Sequence, residues 1–251
     1  MKKGNRRIKY GFFMLQLIIR ANKIGSITYT YCYNGALALN MTQKLPIFPL
    51  QLVVFPGEHL NLHIFELRYR ELVADAEAEG FTFCIPTVYE GGVLPIATEV
   101  QLIEVVNRYP SGESDIRTLG TRVLFMEDYQ KSIPGKNYAG GDCRELVPDF
   151  EEDLQLNQRI VKLTREIYRS LNIDKVVRDA EDGFRTYDIG HYVGLKLRQE
   201  YELLTLLDAK DRQHFLLDHL RDIHPELKEG SRIQDRAKLN GHFKNLTPPE
   251  W

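Results

Sequence analysis

Three histidines, His214, His219 and His224, recur every five residues and invite a metal reading. A helix turns about 100° per residue, so a step of five leaves a side chain about 140° from its start. The three do not share a face, unlike the i, i+4 pair of a zinc helix. Solvated or interfacial histidines are the simpler reading. His63 lies between Leu62 and Ile64 in an alternating stretch, which puts it on the solvent side of a strand. Glu66, with Arg68 and Arg70, offers a candidate base beside two cations; the plainer reading is a carboxylate at a helix N-terminus with Arg70 as its i+4 partner. Glu151-Glu152-Asp153 reads likewise as the acidic first turn of a helix. Pro134-Gly135-Lys136-Asn137 is the string nearest to a phosphate-cradling loop, but it lacks the first Gly and the Ser/Thr of GxxxxGK[ST]. Cys32, Cys84 and Cys143 are widely spaced, with no CxxC, and indicate neither a disulfide framework nor a zinc site. No catalytic, cofactor-binding or metal-ligating set emerges, and the residues of a binding site are not legible.

The elements that would position any site are clearer. Leu45–Leu50 and Leu52–Phe55 are Pro-bracketed apolar runs that stop at Pro56-Gly57, the chemistry of a type II turn. Leu60, Leu62 and Ile64 then alternate with Asn61 and His63, the period of a half-buried strand. From Phe65 the period is helical through Tyr69, Leu72, Val73 and Ala76, with Gly80 placed as a C-cap. The local reading is strand, turn, strand, helix.

Leu45-Pro46-x-Phe48-Pro49-Leu50, Val54-Phe55-Pro56-Gly57 and Leu60-x-Leu62-x-Ile64-Phe65-Glu66-x-Arg68-Tyr69-Arg70-x-Leu72 occur in this order. The stretch resembles the opening of the Lon protease N-terminal domain, which is the family's substrate-binding module. Further on, Gly120-Thr121-Arg122-Val123-Leu124 fits the family's Gly-x-Arg-apolar element. Its expected Gly-Thr is replaced by Ala97-Thr98, a departure at a tight turn. The resemblance spans about residues 45–224. Full-length Lon proteases carry ATPase and Ser–Lys peptidase modules downstream, and this chain ends before either would begin. The expectation is therefore no ATPase and no protease activity.

Residues 81–147 read as β-rich, with turns at Gly91-Gly92, Pro110-Ser111-Gly112 and Pro134-Gly135. Tyr129–Asp142 reads as an exposed polar loop. From Asp149 the period is helical. Leu154, Leu156, Ile160, Leu163, Ile167 and Leu171 mark one helix, Asp174–Arg185 a connector, and Tyr187–Leu207 a second helical stretch. Asp208 caps a third that His224-Pro225 should end.

The composition is that of an ordinary globular protein, 43% hydrophobic and 27% charged. At this length a core can bury roughly 70% of the unfolded surface, without disulfide or metal. Residues 1–40 carry seven Lys/Arg and no Asp or Glu, so the rest has a net charge of −9. That acidic balance opposes nonspecific nucleic-acid binding. Phe12–Ile19 is too short to span a membrane. Residues 1–40 read as a basic extension outside the fold, from a misassigned start codon, the alternative being a genuine basic arm or uncleaved anchor.

The expected fold is α+β. A PUA-like, partly open β-barrel would cover 41–147 and a helical subdomain 148–226, with 227–251 a polar, mobile tail. The resemblance implies a non-enzymatic module without cofactor, and the scattered cysteines fit a reducing cytoplasm. The module would bind exposed or unfolded protein segments, as adaptor to or competitor of a separate protease. A groove between barrel and helices would be the place, with one or two rim aromatics among Phe48, Phe55, Phe65, Tyr69, Phe81, Phe83, Tyr89, Tyr109 and Phe125 touching an extended peptide. The alternatives are a PUA-like RNA-binding module, which needs a basic groove, and a small-molecule-binding barrel, which needs an aromatic cage.

Overall fold

The computed structural model describes residues 17–21, 27–31 and 42–239, with side chains over 42–224. The chain divides into two units at Met41/Thr42. In the first, β1 (Leu17–Ala21) pairs antiparallel with β2 (Ile27–Tyr31). The expectation that 1–40 stand outside the fold, and Cys32 with it, falls otherwise on residues outside the described ones.

The second unit opens as the sequence predicts. β3 (Gln43–Ile47) leads to the Pro56-Gly57 turn, β4 (His59–Ile64) and α1 (Leu67–Glu79). Gly57 has φ +85° and Glu58 N–H donates to the Phe55 carbonyl at 3.1 Å, closing the turn. Gly80, at φ +71°, caps α1 by donating to the Ala76 carbonyl. Phe65 does not join the helical face. It precedes the N-cap Glu66 and stands 59% exposed.

Four more strands follow: β5 (Phe83–Tyr89), β6 (Gly92–Arg108), β7 (Ser114–Met126) and β8 (Ala139–Leu146). Neighbours run β7-β6-β5-β3-β8, and β7 pairs with β8 as well, so five strands close a barrel. β4 hangs on the outside of β7. The three predicted turns all occur, with Gly91, Gly112 and Gly135 at positive φ. Tyr129–Asp142 is not wholly a loop. Its end, from Ala139, is strand, paired with β3 and buried through Gly141, where the absence of a side chain lets the Asp128 carbonyl approach closely. Ala97-Thr98 lies inside β6 rather than at a turn; Ala97 is buried and Thr98 Oγ1 donates to the Val54 carbonyl.

Burial follows the strand period of two. On β5, Phe83 and Ile85 join a cluster with Tyr69, Leu72 and Val73 of α1, while Cys84 points to a second cluster with Ile47, Leu124 and Cys143. A third cluster joins barrel residues Val53, Phe55 and Val123 to the helical part.

That part comprises α2 (Leu154–Leu171), short 3-10 turns at Ala180–Asp182 and Thr186–Ile189, α3 (Leu197–Thr205) and α4 (Ala209–Leu239). Tyr187–Leu207 is therefore only half helical. Gly194, at φ +75°, and the turns around Gly190 stop a regular helix before Leu197. Asp208 accepts from the N–H groups of Lys210 and Asp211, the predicted cap. Pro225 does not end α4. It forgoes one backbone bond, and the helix, anchored by buried Leu216, Leu217 and Leu220, runs on to Leu239, well into the predicted tail. Residues 240–251 lie outside the described ones. Among the described residues no helix is long and apolar enough to cross a membrane.

Candidate functional site

Two features of the barrel's first turn build a groove against the helical part. Gly57 N–H donates to the Gly120 carbonyl at 2.9 Å, and Gly120 N–H donates to the Glu58 carbonyl at 2.8 Å. This fixes the Pro56-Gly57-Glu58 turn on β7. Opposite it, Gly190 lies flat on the Phe55 ring, where any side chain would collide. Phe55 stacks on Tyr187 with centroids 5.1 Å apart and sits 4.7 Å from the His191 ring.

The groove between them holds about 580 Å³, within the usual range of about 300–1,000 Å³ for ligand sites. Phe55, Tyr187 and Ile189 are buried among its lining, while Val176 and Tyr192 stand exposed at 91% and 48%. Lys175 Nζ lies over the Tyr192 ring.

His191 ties the two walls together. Its Nε2 is 3.1 Å from Glu58 of the barrel turn and its Nδ1 is 2.9 Å from Glu200 of α3. Burial alone would push its pKa down. The hydrogen bonds to Glu200 and Glu58 outweigh burial and lift it to about 10, so the ring is an imidazolium. Sequence reading passed over His191, because it belongs to no motif and its two partners are far from it in the chain.

A second feature lies on the free edge of the sheet. Among the described residues β4 pairs only with β7, so none of them adds a further strand to its outer edge. Phe65 and Leu67 continue from that edge, 59% and 78% exposed. The His63 ring lies 6.3 Å from Phe65 and 5.8 Å from Tyr109, which is 42% exposed. Asp115 on β7 organises this rim. It accepts from Tyr109 Oη at 2.6 Å and Asn107 Nδ2 at 3.0 Å, and lies 2.7 Å from His63 Nδ1. The hydrogen bonds from Tyr109 and His63 hold its carboxyl down at about 2.

The other residues singled out by sequence take structural places. His63 is half-exposed, as its strand position requires. Glu66 pairs with Arg68, not Arg70; Arg70 turns to the Ser111 carbonyl at 2.7 Å and to Glu113. Asp153 caps α2 by accepting from Leu156 N–H, whereas Glu152 turns inward to Thr186 and Arg212. His219 meets the Val193 carbonyl, His224 meets Glu166, and His214 is exposed, so the three point apart. Phe48, Phe55, Tyr69 and Phe83 are core; Phe65 and Tyr109 form the rim.

The fold is thus a closed PUA-like barrel with a helical subdomain, an α+β architecture. Residues 44–222 match the family described as the ATP-dependent protease La (LON) substrate-binding domain, and the chain belongs to that family. Among solved structures it is similar to a Lon N-terminal domain protein from Xanthomonas campestris. That match has 25% identity and a TM-score of 0.55, covering 70% of this chain and 98% of the other. The N-terminal domain of a Mycobacterium avium complex Lon protease shares the fold at 16% identity and a TM-score of 0.54, over 72% and 99% of the two chains. No curated protein sequence matches the chain.

Proposed function

We propose that the protein is a non-catalytic recognition module that binds exposed or unfolded segments of other proteins in the cytoplasm. It would serve as adaptor to, or competitor of, a separate protease. The observation that carries this reading is the open edge of β4 continued by exposed Phe65 and Leu67 and flanked by Tyr109. An extended segment adds its backbone to a free strand edge, and its apolar side chains meet the exposed rings. Such an apolar rim is what unfolded segments offer a counterpart to. Buried thiols Cys84 and Cys143, free in the barrel, fit a reducing compartment. Nucleic acid is a poor partner, because the arginines beside the rim, Arg68 and Arg70, are already engaged by Glu66 and Glu113.

The test is a titration of the full chain with a labelled unfolded protein, its folded form and a single-stranded RNA at two salt concentrations. Saturable, salt-insensitive binding of the unfolded protein alone is expected. Salt-sensitive binding of RNA alone overturns the reading.

A further inference from the structure

We infer that the groove beneath the Pro56-Gly57 turn is a second recognition site, taking a polypeptide segment in which an apolar side chain stands beside a carboxylate. This rests on the proposal that the protein binds protein segments, and it adds a site and a chemistry to it.

The charges around the groove leave one cation over. Glu58 is engaged by His191, and His191 by Glu200 as well. Arg178 faces Asp188 at 3.9 Å and donates to the Gly183 carbonyl. Lys175 has no carboxylate partner among the described residues; its ammonium rests on the Tyr192 ring at the mouth of the groove. A cation held against an aromatic face keeps its outer hydrogens for a ligand. Next to it Val176 is 91% exposed and Tyr192 is 48% exposed, an apolar surface large enough for one side chain. Apolar surface beside a single unused ammonium is complementary to an apolar residue beside a single carboxylate.

The same charges exclude other ligands. A nucleic-acid backbone or a phosphate dianion needs several free cations. Here His191 and Arg178 are already engaged by Glu58, Glu200 and Asp188, which leaves Lys175 alone and too few cations for a polyanion. A cationic segment would meet Lys175 head on. The groove is also physically separate from the β4 rim. None of Phe65, Leu67 or Tyr109 contributes to its lining.

The test uses labelled Gly/Ser peptides with a central Phe flanked by Asp, by Asn or by Lys, titrated into the full chain by fluorescence anisotropy at low salt. The Asp peptide is expected to bind tightest, about fivefold ahead of the Lys peptide. Lys175→Glu should reverse that order, and Val176→Ser should weaken all three. Both positions are exposed, so neither change threatens the fold. Equal binding of the Asp and Lys peptides, no binding of any peptide, or an unchanged order in Lys175→Glu overturns the inference. Phe65→Ser and the labelled unfolded protein are run alongside. If the unfolded protein binds and Phe65→Ser abolishes this while the peptide order is flat, the groove fails alone. If the peptide order holds and reverses as stated but no unfolded protein binds, the β4 reading fails alone.

Discussion

Gly57 N–H donates to the carbonyl of Gly120, 63 positions further along the chain, at 2.9 Å. This bond joins the two stretches that carry the family resemblance. Gly120 has no room for a side chain, because the Phe55 carbonyl and the Val54 side chain occupy the space. Gly57 has open space but a φ of +85°. Gly120→Ala is therefore expected to cost about 1–3 kcal/mol through overpacking, and Gly57→Ala about 1 kcal/mol through backbone strain. Urea denaturation monitored by circular dichroism measures both. A larger loss at Gly57 would contradict this account.

His191 sets a pH dependence. Its folded pKa of about 10 lies above the ordinary value of about 6.5. The imidazolium therefore stabilises the fold fully below about pH 6.5, and the contribution is lost as pH rises towards about 10. The melting temperature should fall over that interval in the wild type and stay flatter in His191→Gln. At neutral pH His191→Gln should cost about 2 kcal/mol, for hydrogen bonds to charged groups. A wild-type profile flat across the interval would mean that His191 is neutral.

Arg212 is fully buried, and its guanidinium donates to the carbonyls of Asp149, Leu206 and Leu207 and to Thr186 Oγ1. Its countercharge, Glu152, lies 3.8 Å away and is also buried. Arg212→Met takes the countercharge from the buried Glu152 carboxylate and the donor from the Asp149 and Leu206 carbonyls, a loss of about 3–5 kcal/mol. Adding Glu152→Gln should recover part of it. Chemical denaturation of the single and double variants decides; a double variant no more stable than Arg212→Met would deny the coupling.

Phe65 and Leu67 are exposed, so Phe65→Ser and Leu67→Ser should change stability by less than about 0.5 kcal/mol. Together they should weaken binding of the unfolded protein by at least about tenfold, the loss of a hot-spot contact. Anisotropy titration reads the binding and thermal melting the stability. Unaltered affinity would remove the β4 rim from the proposed function.

Local pattern carried much of this architecture. The Pro56-Gly57 turn, the β4 alternation, the Gly80 cap, the span of α2 and the Asp208 cap each depend on residues within a few positions of one another, so their physics is written in neighbouring letters. The outward face of His63 follows from the same period of two. Other features depended on contacts between distant segments. β8 is strand because Gly140 and Gly141 allow close approach to Ile133 and Asp128, which no local propensity records. Arg70 leaves Glu66 because the β6–β7 turn brings Ser111 and Glu113 within reach. Pro225 stays inside a helix that packing has already set. The groove itself comes from three separate pieces, the turn at Gly57, the connector at Lys175 and the loop at His191, and only folding brings their charges together to leave Lys175 over.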